Sequence, residues 1–230
     1  NIELLANGKS TQKALWNGKI NQILIENNKT KLDSELLKLN IDAIKVIKPS
    51  VVMLASNQPK TQSQKPKTSS SEFEFSIGKL SIENGEFSQV KDGKNQLMIG
   101  NINANFNSIS NNPNKAESKK PFLVKSHDIV AENFKFDAGK HYNLNVKSIL
   151  NSDKKTIVKH LELKPKYSRK AFSKVIKKQE DLYDISVKEI SVLENLDIFS
   201  GFETINLKQV TFDGINASIY HDLASPNDTK

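Results

Sequence analysis

The sequence predicts an all-β protein with one short helix, built as an elongated, curved antiparallel sheet with an open groove or half-barrel. Three observations indicate this fold: several segments alternate apolar and polar residues, five of the nine glycines follow Asn or Asp, and only one segment has helical spacing. A closed β-sandwich is the alternative, because a sheet with one apolar face can also bury that face against a second sheet.

The N-terminal part, residues 1–54, is predicted to consist of strands. Residues 37–41 read Leu-Lys-Leu-Asn-Ile and alternate strictly. The overlapping segment 33–39 is also a helix candidate, but the alternation continues to Ile41 and favours a strand. Residues 55–72 follow, and 56–71 contain no hydrophobic residue, so a disordered loop or linker is predicted there.

Residues 73–110 are predicted to form a β-hairpin region that turns at Asp92-Gly93. The apolar positions up to Ile77 share one phase, and those from Leu80 share the other. Gly78 lies at this change of phase, so we expect a β-bulge there. In the second strand, even-numbered residues from Ile102 to Ser108 alternate with four asparagines.

The remaining chain is predicted as a flexible loop over 111–121 and a C-terminal β-sheet region over 122–230. This region contains alternating segments, such as 142–150, and one helix near 168–181. Ser168 is the expected N-cap of the helix. The whole chain is interpreted as one continuous elongated domain and as a fragment of a larger protein.

The Asn-Gly and Asp-Gly pairs are interpreted as tight turns, since these residues accept positive φ angles. The five pairs are Asn7-Gly8, Asn17-Gly18, Asn84-Gly85, Asp92-Gly93 and Asp213-Gly214.

Composition excludes several classes of protein. The chain has no cysteine, so it forms no disulfide and no thiolate metal site, and it is not a thiol enzyme. Its longest apolar run is the five residues 51–55, far short of the roughly 20 that a membrane-spanning helix needs. The net charge is +8, but it comes from 33 lysines and one arginine, interspersed with acidic residues. Because arginine carries most base and phosphate recognition, we predict no nucleic-acid partner, and expect a solvated lysine surface that can face anionic lipid headgroups.

A search for catalytic and metal-binding motifs identifies no catalytic residue and no cofactor, and the chain is predicted not to be an enzyme. Gly8-Lys9-Ser10-Thr11 resembles the end of a phosphate-binding loop, but the motif requires a glycine where Glu3 stands. His160 and Glu162 would share a strand face, so a two-ligand metal site is conceivable, although an ordinary surface histidine is favoured.

The basic helix has two interpretations. Phe172, Val175 and Ile176 follow Ser168 at helical spacing, and lysines cover the rest of the segment. The three apolar residues could contact a membrane surface. Packing onto the sheet as a cap is favoured, because this apolar face is short.

Three stretches resemble AsmA-like proteins of Bacteroidetes, which belong with the translocation-and-assembly-module group of envelope proteins. The stretches are LELKPKYSRKAFSKVIKKQEDLYDISVKEISV (161–192), FETINLKQVTFDGINASIYHDL (202–223) and IGKLSIENGEF (77–87). The resemblance is clear over about 120–230 and weaker over 1–110. It implies a periplasmic body formed by a long curved sheet with an apolar concave side, and an inner-membrane anchor that this chain lacks.

The resemblance also implies a part in outer-membrane homeostasis and phospholipid transport, as in the similar bridge-like lipid-transfer proteins. Phospholipid is the expected partner, with other envelope proteins as further possibilities. The expected lining of the lipid groove, chosen from the alternating apolar positions, is Phe73, Phe75, Ile102, Phe106, Phe134, Phe136, Leu144, Val146, Leu161 and Leu163. For each residue a closed core is the alternative. A structural or adhesive module that binds protein or glycan at the cell surface is the alternative function, and a carbohydrate hydrolase comes third.

Overall fold

A computed structural model describes residues 2–4, 15–32, 37–55, 73–111, 122–193, 207–221 and 223. The side chains of residues 4, 27–32, 37 and 73 are not described. The Asn7-Gly8 pair and nearly all of the two predicted loops, 55–72 and 111–121, lie outside the described residues.

Twelve strands and one helix make up the described chain. The strands are β1 (Ile2–Leu4), β2 (Leu15–Ile20), β3 (Gln22–Leu32), β4 (Leu37–Ile47), β5 (Ser50–Leu54), β6 (Phe73–Lys91), β7 (Lys94–Asn111), β8 (Phe122–Asp137), β9 (Tyr142–Ser152), β10 (Lys155–Pro165), β11 (Asp181–Leu193) and β12 (Gln209–His221). The helix is α1 (Arg169–Val175), between β10 and β11.

All twelve strands belong to one large, open, curved sheet that does not close into a barrel. The strands from β6 to β12 pair antiparallel in chain order, through hairpins such as the predicted one at Asp92-Gly93. The prediction of an open curved sheet is therefore confirmed. The closed sandwich is wrong for the described part of the chain, where no strand belongs to a second sheet.

The sheet is mixed, which the antiparallel prediction missed. β4 and β5 lie one after the other along the same edge of β6, and both run parallel to it. β3 then pairs antiparallel with β4, and β2 with β5. Parallel neighbours need a crossover instead of a tight turn, and the chain between β5 and β6 lies outside the described residues.

Two lines of interrupted pairing cross the sheet. On the first line the ladder skips Asp42, Gly78, Ser108 and Lys125, which lie at one level of β4, β6, β7 and β8. The second line, about 20 Å further along β6 by strand geometry, contains Lys48, Asn84, Asn101, Asn133, Lys147, His160, Lys188 and Gly214. Six of the residues on the second line have positive φ, between 48° and 62°, as does Ser108 (52°) on the first.

The apolar positions change parity at both lines. In β6 they are Phe75 and Ile77 before the first line, Leu80 and Ile82 between the lines, and Phe87 beyond the second. A left-handed residue rotates the strand that follows it and re-aims its side chains, as in a β-bulge. In β6 this residue is Asn84 at the second line, where the reversal coincides with the change of parity and keeps the apolar residues on one face. At the first line the left-handed residue is Ser108 of β7, and Gly78 of β6 has no positive φ.

The strand bounds and these lines together correct four sequence predictions. Asn17-Gly18 lies inside β2, Asn84-Gly85 inside β6 and Asp213-Gly214 inside β12, so none of the three is a hairpin turn. Asn84 and Gly214 use their positive φ angles to reverse the alternation within a strand instead. The phase change at Gly78 is real. Its neighbours Ile77 and Lys79 pair with Ile109 and Asn107, so one residue of β6 lies opposite one residue of β7, and no extra residue and no bulge is present there.

The helix packs against one end of the sheet. The Ser168 side chain accepts a hydrogen bond from the Ala171 backbone N–H, as predicted for the N-cap. Phe172 and Ile176 are buried with Leu182 at the start of β11, and Tyr142, Tyr167 and Tyr220 pack around them. Packing as a cap is therefore confirmed for Phe172 and Ile176, whereas Val175 is exposed. The predicted helix end near residue 181 is wrong, because Ile176 is already extended and β11 begins at Asp181.

We expect Gly78→Ala to destabilise the chain by about 2 kcal/mol, the usual range for a steric clash in a packed element. A Cβ at Gly78 would lie 2.6 Å from the Asp42 carbonyl oxygen, so the backbone of β4 would have to move. Gly100→Ala is the matched control, since a Cβ there meets nothing closer than 3.7 Å. Urea denaturation of both variants measures the effect; equal midpoints would show that the close approach at Gly78 is unimportant.

Asp181 makes the stability of the fold depend on pH. Its carboxylate accepts hydrogen bonds from His221 Nδ1 (2.6 Å) and the Tyr183 hydroxyl (2.9 Å), and these bonds, His221 first, lower the pKa of Asp181 below 3.8. A carboxyl with a depressed folded-state pKa stabilises the fold above its unfolded pKa, and this is lost as pH falls through the folded pKa. The gap in urea midpoint between the wild type and Asp181→Asn should therefore be constant around pH 5, above the ordinary carboxyl pKa and below that of imidazole, and shrink below pH 3.8. A gap unchanged down to pH 2 would contradict this assignment.

Candidate functional site

The apolar face of the sheet is organised in rows that run across the strands. Cross-strand partners project from the same face of a sheet, so the pairing register defines each row. Beyond the second line, one row is Phe134, Val146, Leu161, Val187 and Ile215, from β8 to β12. The next row is Leu97, Phe136, Leu144, Leu163, Ile185 and Ala217, from β7 to β12.

The structure brings together six of the ten predicted lining residues. Phe134, Val146 and Leu161 are direct neighbours in the first row, and Phe136, Leu144 and Leu163 are direct neighbours in the second. Val146 is only 4% exposed, and the other five are half-buried. Residues chosen from three separate stretches of sequence thus form one contiguous apolar patch.

The other four predicted residues lie elsewhere in the sheet. Phe106 lies between the two lines, opposite His127 on β8, and Ile102 lies next to the second line, opposite Gly85. Phe75 lies on the far side of the first line. Phe73 begins β6, and its side chain is outside the described residues.

The two rows also contain residues that the sequence prediction missed. Val187 and Ile185 on β11, and Ile215 and Ala217 on β12, extend both rows to the last described strand. The alternation in the sequences Ile-Ser-Val and Ile-Asn-Ala was visible, but the break in phase at Gly214 hid which positions belong to the apolar face.

Between the two lines the face continues in two further rows. One is Ile82, Ala104, Ile129, Asn151, Thr156, Val192 and Val210, and the other is Ala131, Ile149, Val158, Ile190 and Phe212. The face therefore extends across the sheet on both sides of the second line.

This face has no covering layer among the described residues. All described strands lie in one sheet, and the single helix packs at its end.

Exposure of the apolar residues is greatest on β12. Phe212, Ile215 and Ile219 are 54%, 61% and 63% exposed, although their partners on β11 are half-buried or buried. The rise reflects the loss of one neighbouring strand, because β12 is the last strand in the described order.

The opposite face is mainly polar. Lys135, Asn145, Glu162, Ser186 and Asn216 form one row across it, and the adjacent row includes the ion pair Lys164–Asp184, at 2.7 Å. One apolar interruption, Val130, Leu150 and Ile157, lies between the lines. The sheet therefore has two faces of different chemistry, as its alternating sequence predicts.

A buried polar group interrupts the apolar face near the β9–β10 turn. Asn151 Oδ1 lies 2.6 Å from His127 Nε2, and Asn151 Nδ2 donates to the Thr156 hydroxyl at 2.7 Å. Asp153 lies 3.0 Å from His127 Nδ1 and also accepts from the His127 backbone N–H. His127, Asn151 and Thr156 are 3–7% exposed, so these side chains satisfy one another and a ligand on the face would meet few free polar groups.

A small-molecule pocket and a metal site have little support in the described part of the chain. Two shallow depressions of about 250 and 280 Å³ have mixed polar linings, and both are below the roughly 300–1,000 Å³ of ordinary small-molecule pockets. No described group of three or more His, Asp or Glu residues could hold a metal ion. His160, a conceivable metal ligand, is exposed and has a φ of 50° on the second line. No helix within the described ranges is long and apolar enough to span a bilayer.

No protein-family model, curated protein or solved structure matches the chain. The family resemblance therefore stays a prediction.

The buried polar group should behave as a coupled unit. We expect His127→Leu and Asn151→Leu each to lower the free energy of unfolding by about 2 kcal/mol, since each leaves a buried partner unsatisfied. The double variant should lose clearly less than the sum, because both unsatisfied groups are then gone. Urea unfolding of the four proteins measures the coupling, and additive losses would contradict it.

Proposed function

We propose that this chain is a non-enzymatic lipid-binding part of a periplasmic envelope protein, in which the apolar face carries phospholipid acyl chains. The observation that supports this most is the set of continuous apolar rows across β8 to β12, which no described residue covers. A face of this kind is unstable in water unless another apolar partner covers it.

The dimensions of the face suit acyl chains. The ten strands in the main order span about 45 Å at the usual strand spacing, and the longest strand is about 60 Å long. Each methylene that leaves water for an apolar surface contributes about 0.8 kcal/mol, so a single acyl chain lying along a row would gain several kcal/mol. The face presents branched aliphatic and Phe side chains without free polar groups, so it offers little to distinguish one phospholipid from another. Such a face suits binding or conduction of phospholipids as a class.

The resemblance to AsmA-like envelope proteins supports the same function. It implies a periplasmic location and an inner-membrane anchor in another part of the full-length protein. It also adds a role in outer-membrane homeostasis. Binding and transfer along the face require no covalent chemistry, which is consistent with a sequence that contains no recognisable catalytic motif.

Phe136→Asp/Leu163→Asp should remove the bound lipid. Both residues are half-buried members of one apolar row, so a charge there opposes acyl chains without being forced into a fully buried position. Asn145→Asp/Ser186→Asp is the matched control, with the same new charges on the polar face of β9 and β11. We expect near-stoichiometric phospholipid in solvent extracts of the wild type and the control by mass spectrometry, and at least a tenfold loss in the Phe136/Leu163 variant.

Two results would count against this function. The first is wild-type protein, monodisperse and folded by circular dichroism, with no more lipid than an unrelated lysine-rich protein from the same host. The second is equal lipid in both double variants, since that would place the lipid away from the apolar rows.

A further inference from the structure

The strongest concentration of charge lies around α1, at one end of the sheet. Five basic residues, Arg169, Lys170, Lys174, Lys177 and Lys178, fall within ten positions that contain no acidic residue. All five are exposed. We call these five residues the basic end.

The core beneath the basic end holds it in a fixed place. Phe172 is fully buried and Ile176 is 8% exposed, both packed with Leu182. Because these two residues are four apart and face inward, the lysines at 170 and 174 lie on the outer side of the helix. Arg169 lies over the Tyr220 ring, 5.5 Å from its centroid.

The nearby acidic residues have partners outside the basic end. Asp137 pairs with Lys166, and Glu180 lies 3.6 Å from His141 Nε2. Asp181 is bonded to His221 and Tyr183. These three carboxylates thus have described partners of their own, and positions 169–178 carry five basic residues and no acidic one.

We propose that the basic end is a docking surface for an anionic lipid bilayer. Lysines act as compact point charges that attract anionic headgroups, and each one near such a surface strengthens binding by about fivefold. Nucleic acid is the less suitable polyanion, because its recognition uses stacking aromatics and free arginines. Here Phe172 is buried, the single arginine lies over Tyr220, and the one exposed large apolar side chain of the helix is Val175.

This contact is independent of acyl-chain binding on the apolar face, and it is electrostatic. The sequence also allowed contact of Phe172, Val175 and Ile176 with a membrane surface, but the buried positions of Phe172 and Ile176 leave only charge and Val175 at this surface. The docking surface lies at the sheet end where β10 finishes and β11 begins. A bilayer bound there would therefore lie beside the apolar row from Leu97 to Ala217, which is the row nearer this end of the strands.

Vesicle sedimentation tests this proposal on the intact chain. The vesicles are phosphatidylcholine alone, or phosphatidylcholine with about 30% phosphatidylglycerol, which gives the surface a negative potential. The test variant is Lys170→Glu/Lys174→Glu/Lys177→Glu. The matched control is Lys125→Glu/Lys154→Glu/Lys155→Glu, with the same charge change on exposed lysines toward the other end of the strands. Circular dichroism confirms that both variants are folded.

We expect binding to the anionic vesicles only, weakened at least tenfold by the test variant and by 0.5 M salt, and retained by the control. Equal binding to phosphatidylcholine alone, or an equal loss in both variants, would overturn the proposal. Tighter binding of single-stranded DNA than of anionic vesicles, with the same dependence on these lysines, would overturn it in favour of a nucleic-acid site. Lipid uptake by the apolar face would not depend on salt or on these lysines, so failure of one proposal is distinguishable from failure of the other.

Discussion

The structure depends on one geometric constraint: paired residues on neighbouring strands must project from the same face of the sheet. A strand that reverses its alternation can stay in register only if its neighbours reverse at the same level. This is what the second line shows from Lys48 to Gly214, where positive φ angles on some strands meet skipped pairs on the others. The result is one apolar face that continues across the reversal.

The same constraint explains why polar residues on the apolar face occur as a connected group. Asn151 and Thr156 are cross-strand partners, and His127 is two residues from the β8 partner of Asn151. Once one polar residue occupies the face, its neighbours in the row and on the diagonal can satisfy it. The helix has a comparable role at the strand ends, where Phe172 and Ile176 bury the surface that the last residues of the strands would otherwise expose.

Much of this architecture follows from local sequence. Alternation between Leu37 and Ile41, the turn at Asp92-Gly93 and the cap at Ser168 each depend on a few adjacent residues, and the structure has all three. The parallel pairing of β4 with β6 has no such local mark, because it is decided by contacts between residues 36 positions apart.

The reversals of alternation within strands also could not be predicted from local sequence alone. Asp92-Gly93 and Asp213-Gly214 both contain positive φ, but the first pair turns the chain and the second continues a strand. Asn17-Gly18 lies inside β2 without any positive φ, so the pair of residues alone does not decide the outcome. For the candidate site, alternation was enough to choose Phe134, Val146 and Leu161, and only the register shows that they are neighbours. Their role in lipid binding remains a prediction.

Cysteine scanning along β10 tests the central claim most directly, since the chain has no native cysteine. Single cysteines from Thr156 to Lys164 would each carry a spin label, in protein with phospholipid bound. For each label, the broadening of its electron paramagnetic resonance spectrum by a lipid-soluble relaxant would be compared with that by a water-soluble relaxant. The account predicts that labels at Val158 and Leu161, three residues apart, both contact lipid, with the pattern changing phase at His160. Unbroken alternation, with Ile157, Lys159, Leu161 and Leu163 all in contact with lipid, would contradict a single apolar face preserved by reversal of the strands.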